Sequence, residues 1–307
     1  MITSIFSKSK PINFLIVFTL SLLALFIAIF KYSEINLITI SILKLAAVFL
    51  CCFLSVLLVD FIVTKNSLSR KANAEIFLFS LFLLTVPQVF LNWEIVLSNF
   101  FVLLALRRIL SLRTQKETIK KLFDAGFLIG LATVFYFWSL LFFMLIFFAL
   151  LFYAESEVKR WIVPFIGILA TTVITISFSI IYYNTFFTTL NINPAVSFNF
   201  TAYNSIQFIT AITMLLSFGL WSSVFYLKGI KKKKKTFRSS YKVVFIACMI
   251  AFVLVVIAPK KEGSEFLFLF APLTIIISNY IETIEEKWFK LLFVFLLLAI
   301  PFLLLML

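Results

Sequence analysis

The sequence predicts an all-α, polytopic integral membrane bundle of about 11 transmembrane helices, and three observations carry that expectation. The mean hydropathy of the 307 residues is +1.15, far above that of soluble domains. Apolar runs of about 17–22 residues recur along the whole chain, each long enough to cross a ~30 Å hydrocarbon core as a helix. The alternating ten-residue segments of a membrane barrel are absent, so the spanning elements must be helices, which satisfy their own backbone. No polar stretch exceeds about twenty residues, so residues 1–307 read as a single membrane domain.

The formal net charge of +14 is distributed in short basic clusters between the apolar runs, the pattern of a positive-inside topology signal. The largest cluster is "KGIKKKKKTFR", 228–238. It reads as a cytoplasmic loop in contact with anionic lipid, with a docking surface for a cytoplasmic partner as the alternative; membrane-protein partners are a separate expectation. That placement points away from nucleic acid. Cys51, Cys52 and Cys248 all fall inside apolar runs and lack metal or disulfide spacing, so they read as small apolar filler. The chain has no histidine, which excludes His-ligated metal, His-ligated haem and Ser-His or Cys-His nucleophiles. No metal site is expected.

Taken in order, the first span covers about 12–30 after Lys8 and Lys10. No small-x-small cleavage site follows it in "KYSEI", so it reads as retained, with a cytoplasmic N-terminus. The second span covers 45–63. Residues 31–44 are either its beginning, with Lys44 snorkelling outward, or a short interfacial segment. Spans three and four, "AEIFLFSLFLLTVPQVFL" and "IVLSNFFVLLAL", form a hairpin around "NWE" at 92–94, with Pro87 expected to kink the former, as Pro272 and Pro301 should kink later helices. The stretch 122–154 is too long for one helix. A single crossing would place "EVKR" and the polylysine run on the outer side, so two short helices with a turn near Trp138–Ser139 are expected. Further spans follow at about 161–182, 204–227, 241–258 and 266–281, and a last one ends at Leu307. Of the 27 lysines and arginines, only Lys31, Lys260 and Lys261 then lie outside, with Lys44 at the border. Gly126 and Gly130, four apart, suit close helix packing.

The hairpins suggest where chemistry could sit. Residues 95–106 provide only about 18 Å of helix before Arg107, so the turns holding Trp93 and Trp138 would be sunk beneath the outer face. Glu94 would then line an outward cavity; the alternative places it at the headgroup level. "KKEGSE", 260–265, sets Lys260, Lys261, Glu262 and Glu265 between two apolar runs. It is either a polar turn or a site in which ammonium groups meet a lipid phosphate and a carboxylate acts as general base.

The stretches "NFFVLLALRRILSL", "AGFLIGLATVFYFWSLLFFMLIFFALLF" and "KKEGSEFLFLFAPLTIII" resemble the element order of GT-C class glycosyltransferases, over roughly residues 75–280. The resemblance implies a sugar transferred from a polyprenyl-phosphate-linked sugar donor on the periplasmic side, with no other cofactor. By position it implies Lys260, Lys261 and Lys44 as lipid-phosphate contacts and Glu94 or Glu34 as the catalytic carboxylate. Trp93, Trp138, Glu262 and Glu265 would line the cavity. The chain departs from that class in its short first outer loop and in lysines where the class often has His or Arg. The whole chain also resembles a bacterial multi-pass membrane protein family of unknown function, which implies the bacterial inner membrane. Two further readings stay open: a non-catalytic structural or assembly subunit of a membrane complex, and a lipid or small-molecule transporter. The transporter reading has only Asp60 and Lys44 as intramembrane ionisable candidates.

Overall fold

Proline and polar breaks divide the apolar chain into eleven α-helices among the described residues of a computed structural model, which are 11–32, 42–69, 73–153, 157–186 and 193–306. They are α1 (Pro11–Tyr32), α2 (Ile42–Asn66), α3 (Ala74–Thr85), α4 (Trp93–Ser111), α5 (Thr118–Phe135), α6 (Phe143–Phe152), α7 (Val158–Tyr183), α8 (Ile206–Ile230), α9 (Lys235–Ile257), α10 (Leu267–Thr283) and α11 (Lys287–Met306). Eight of them, all but α3, α5 and α6, are long and apolar enough to cross a membrane. The chain is a multi-pass helical membrane protein.

The breaks have local causes. Pro87 does not kink the third apolar run; it ends α3. The ring of a proline excludes the helical region for the residue before it, and Val86 is accordingly at φ −129°, ψ 74°. A 3₁₀ turn, Pro87–Leu91, follows, and the Asn92 side chain then caps the Ile95 amide at the start of α4 (3.3 Å). In the 122–154 stretch the reversal falls at Tyr136, which is extended, and a 3₁₀ turn Phe137–Phe142 leads into α6. Pro272 and Pro301 remain inside α10 and α11.

One expected dimension is different. The run 95–106 is not a short helix, because α4 continues through Arg107 and Arg108 for 19 residues, about 28 Å. Both guanidiniums find partners: Arg107 stacks on the Phe61 ring at 4.4 Å, and Arg108 pairs with Asp124 of α5 at 3.1 Å. The shortage of length lies instead in α3, about 18 Å, and in α6.

The centre of the bundle is α3 against α10. Every residue from Glu75 to Thr85 and from Leu267 to Ile281 is buried, and Phe270 packs on Phe79 and Phe82 at 5.9 and 5.5 Å. Against α5, α7 presents Gly167, Thr171, Thr175 and Ser179, a stripe of small residues, and leaves Leu169, Val173 and Ile181 exposed on its other side. In lipid, helices gain little from hydrophobicity toward one another, so small residues that let backbones approach hold such pairs together. The approach is close: a Cβ at Gly126 would lie 2.2 Å from the Pro164 carbonyl oxygen, and one at Gly130 2.0 Å from Thr171 Oγ1.

The helix ends sort into two poles. At one, Tyr241 donates to the Leu68 carbonyl, as does Asn279. Arg113 reaches the Asn66 carbonyl, and Tyr153 meets Ser240, all beside the polylysine run. At the other, Asn92 donates to Glu262, Gln88 pairs with Gln207, and the Trp138 indole donates to the Ala195 carbonyl. Tyr153 and Trp138 lie at opposite poles, so 122–154 doubles back, as two short helices require.

Candidate functional site

The pole holding residues 258–266 gathers most of the residues that the sequence singles out. Helix α9 ends at Ile257, leaving carbonyls without intrahelical partners at its negative end. Lys261 turns back on them: its Nζ donates to the Val255 carbonyl at 2.8 Å and to the Val256 carbonyl at 2.6 Å, under the Phe200 ring at 5.0 Å. The side chain is buried, and burial lowers its ammonium pKa below the ordinary 10.5, an effect the nearby Glu265 charge opposes.

Gly263 makes the reversal possible. Its φ is +89°, a region that costs other residues strain, and a Cβ there would lie 2.5 Å from the Phe208 ring. The chain then enters a 3₁₀ turn, Ser264–Phe266, that leads directly into α10. This places Glu265 at the positive end of the central helix, where a carboxylate is favoured. Glu265 is buried; its Oε1 accepts a short hydrogen bond from the Tyr203 hydroxyl, while its Oε2 has no hydrogen-bond partner among the described residues. Tyr203 is itself enclosed by Phe200, Phe208 and Phe266, with ring centroids 5.3–6.2 Å away. Burial first, and the Glu265 carboxylate second, push its phenol well above the ordinary 10.0. Burial first, and then the charges of Glu265 and Glu262, push the Tyr136 phenol up as well.

A second feature adjoins this turn. Lys44, in the first turns of α2, sets its ammonium 5.4 Å from the Trp93 ring centre. Together with Ala47, Val48, Cys51, Val96 and Leu97 they line a groove of about 310 Å³ between α2 and α4. Its floor is apolar and its lip carries one cation. Glu94 follows Trp93 in the first turn of α4 and is half-buried.

The predicted residues therefore divide. Lys44 and Trp93 share the groove, with Glu94 next in the chain. Glu262 is exposed and is joined to the "NWE" turn through Asn92 at 3.5 Å. Lys260 is exposed. Lys261 and Glu265 are drawn inward as parts of the turn, Lys261 toward its own preceding helix. Trp138 is half-buried and anchors the loop at Ala195 (3.1 Å). Glu34 lies outside the described residues. Sequence reasoning missed Tyr203, Tyr136, Phe200 and Asn92. A tyrosine in an uncharged loop has no spacing that marks it, and only the buried Glu265 reveals its use.

No match was found among curated proteins or among solved structures. The profile of a family of unknown function, DUF6427, matches residues 1–306, and the chain belongs to that family.

Proposed function

We propose that this member of a family of unknown function binds a polyprenyl-phosphate-linked sugar at its Lys44–Trp93 pole and transfers the sugar to an acceptor hydroxyl. The reading includes eleven membrane crossings and the bacterial inner membrane, with the polylysine pole cytoplasmic and the opposite pole periplasmic. The observation that carries it is the groove between α2 and α4: an apolar trough of about 310 Å³ under a single ammonium, with Glu94 next in the chain to its Trp93. Such a trough suits a lipid tail, and the Lys44 ammonium suits the phosphate as a point charge. Exposed Lys260 adds positive charge at the same pole, and Lys261 retains one N–H beyond the two given to α9.

In this mechanism Glu94 accepts the acceptor's hydroxyl proton as the oxygen attacks the anomeric carbon. The bond from that carbon to the phosphate oxygen breaks, and the electron pair leaves with the phosphate, whose charge the lysines stabilise. A photoreactive polyprenyl phosphate should crosslink to 44–51 and 93–97, and K44M should weaken that labelling about tenfold, a loss comparable to one charge-assisted contact. E94Q should bind the probe normally and transfer no sugar. Labelling elsewhere, or unchanged by K44M, would remove the proposal.

A second reading is favoured by one observation. Lys261 and Glu265, which the enzyme reading assigns to lipid phosphate and cavity, are engaged in building the 258–266 turn. A structural subunit needs that turn and no catalysis. It predicts a stoichiometric partner on purification in mild detergent, with sugar transfer unaffected by E94Q.

A further inference from the structure

At the polylysine pole, between the end of α8 and the junction of α10 with α11, lies a groove of about 450 Å³. Its floor is aromatic and aliphatic: Phe225 and Gly229 from α8, Tyr280 and Ile284 from the end of α10, and Phe289 from the first turn of α11. Phe225 and Tyr280 are in contact, with ring centroids 4.8 Å apart, and Tyr280 accepts a hydrogen bond from the Trp221 indole at 2.7 Å. The floor is thus fixed, not a gap between loose side chains.

The rim is divided by charge. Lys228, in the last turn of α8, and Lys232, two residues past its end, stand on one side, and Glu285 and Glu286 stand on the other. All four side chains are exposed, and no ion pair joins the two lysines to the two glutamates among the described residues. Two positive and two negative groups therefore face one trough without neutralising each other across it. Trp288, exposed beside Glu286 and Lys287, fits the belt of aromatic residues found where lipid headgroups begin.

We infer that this groove binds a phospholipid whose headgroup carries both a phosphate and a primary ammonium, an ethanolamine phospholipid. The phosphodiester lies against Lys228 and Lys232, the ammonium donates to Glu285 and Glu286, and the upper acyl chain follows Phe225 and Phe289. An anionic lipid without an amine would satisfy the lysines and leave the glutamates repelling it. A choline headgroup would bring the charge without N–H donors. The assignment is independent of sugar transfer at the opposite pole, because it uses neither the same residues nor the same helix ends.

Native mass spectrometry of the full chain, released from detergent with one lipid added at a time, tests this. The wild type should retain ethanolamine phospholipid in preference to both choline and glycerol phospholipids. K228A/K232A should lower retention of the ethanolamine lipid about tenfold, as expected for losing partly exposed charge-assisted contacts. E285Q/E286Q should abolish the preference over the glycerol lipid while leaving that lipid's own retention unchanged or raised. Equal retention of the three lipids by the wild type would overturn the inference, and so would double variants that behave like wild type. Soluble glycerophosphoethanolamine bound as tightly as the lipid would overturn the membrane source. Circular dichroism of each variant confirms that losses do not reflect unfolding.

Discussion

Replacing Lys261 by methionine removes the ammonium and keeps most of the stem. The two hydrogen bonds lost, to Val255 and Val256 at 2.8 and 2.6 Å, are charge-assisted, a class that contributes about 1.5–3 kcal/mol each. The ammonium also offsets the buried Glu265 charge, and truncation leaves that carboxylate less well compensated. Against these losses stands the burial cost of the ammonium itself, which methionine escapes. The balance predicts a net destabilisation of about 2–4 kcal/mol for K261M. Lys260, one residue earlier and exposed, predicts a change within about 0.5 kcal/mol for K260M. Reversible unfolding in mixed micelles by added denaturing detergent, followed by tryptophan fluorescence, measures both. A K261M/E265Q double variant should be less destabilised than the sum of the single changes, because the uncompensated charge is gone. If K261M unfolds with K260M, the assignment of Lys261 to the α9 terminus is wrong; if the double variant is simply additive, Lys261 does not offset the Glu265 charge.

The other expectations concern packing and titration. G126A should destabilise by about 1–3 kcal/mol in the same assay, since the Pro164 carbonyl leaves no room for a methyl, whereas G229A, with nothing within 4 Å, should be neutral or up to about 1 kcal/mol stabilising. Equal effects at the two glycines would contradict the close α5–α7 approach. Tyr203, whose folded pKa is raised by burial and by Glu265, contributes stability that is fully present below pH 10.0 and is lost as the pH rises through the folded value. Above pH 10 the wild type should therefore lose stability more steeply than Y203F; parallel pH profiles would refute the buried Tyr203–Glu265 contact.

Much of this fold is legible in the sequence because hydropathy and charge placement act over single segments. The reversal within 122–154 follows from keeping "EVKR" and the lysine run on one side, and the structure joins Tyr153 to Ser240 at one pole and Trp138 to Ala195 at the other. The small-residue contact of Gly126 and Gly130 is legible for the same reason. What escapes is whatever depends on a partner far along the chain. Arg107 and Arg108 look like the end of a helix, yet Phe61 and Asp124 let α4 carry them onward. Pro87 is visible, but whether it bends a helix or ends it depends on what receives the turn after it. In the opening of α10 the charges are legible and their directions are not. Nothing local says that Lys261 folds back onto α9, or that Glu265 meets a tyrosine 62 residues away.

Both proposed lipid sites require the two poles to face opposite sides of the membrane. Cysteine substitution tests that directly, because native Cys51, Cys52 and Cys248 are all buried and give little background. In intact cells, a membrane-impermeant maleimide should label K260C at once and K232C only after permeabilisation. Labelling of K232C in intact cells, with K260C protected until the membrane is opened, would contradict the orientation and with it the placing of both proposed lipid sites.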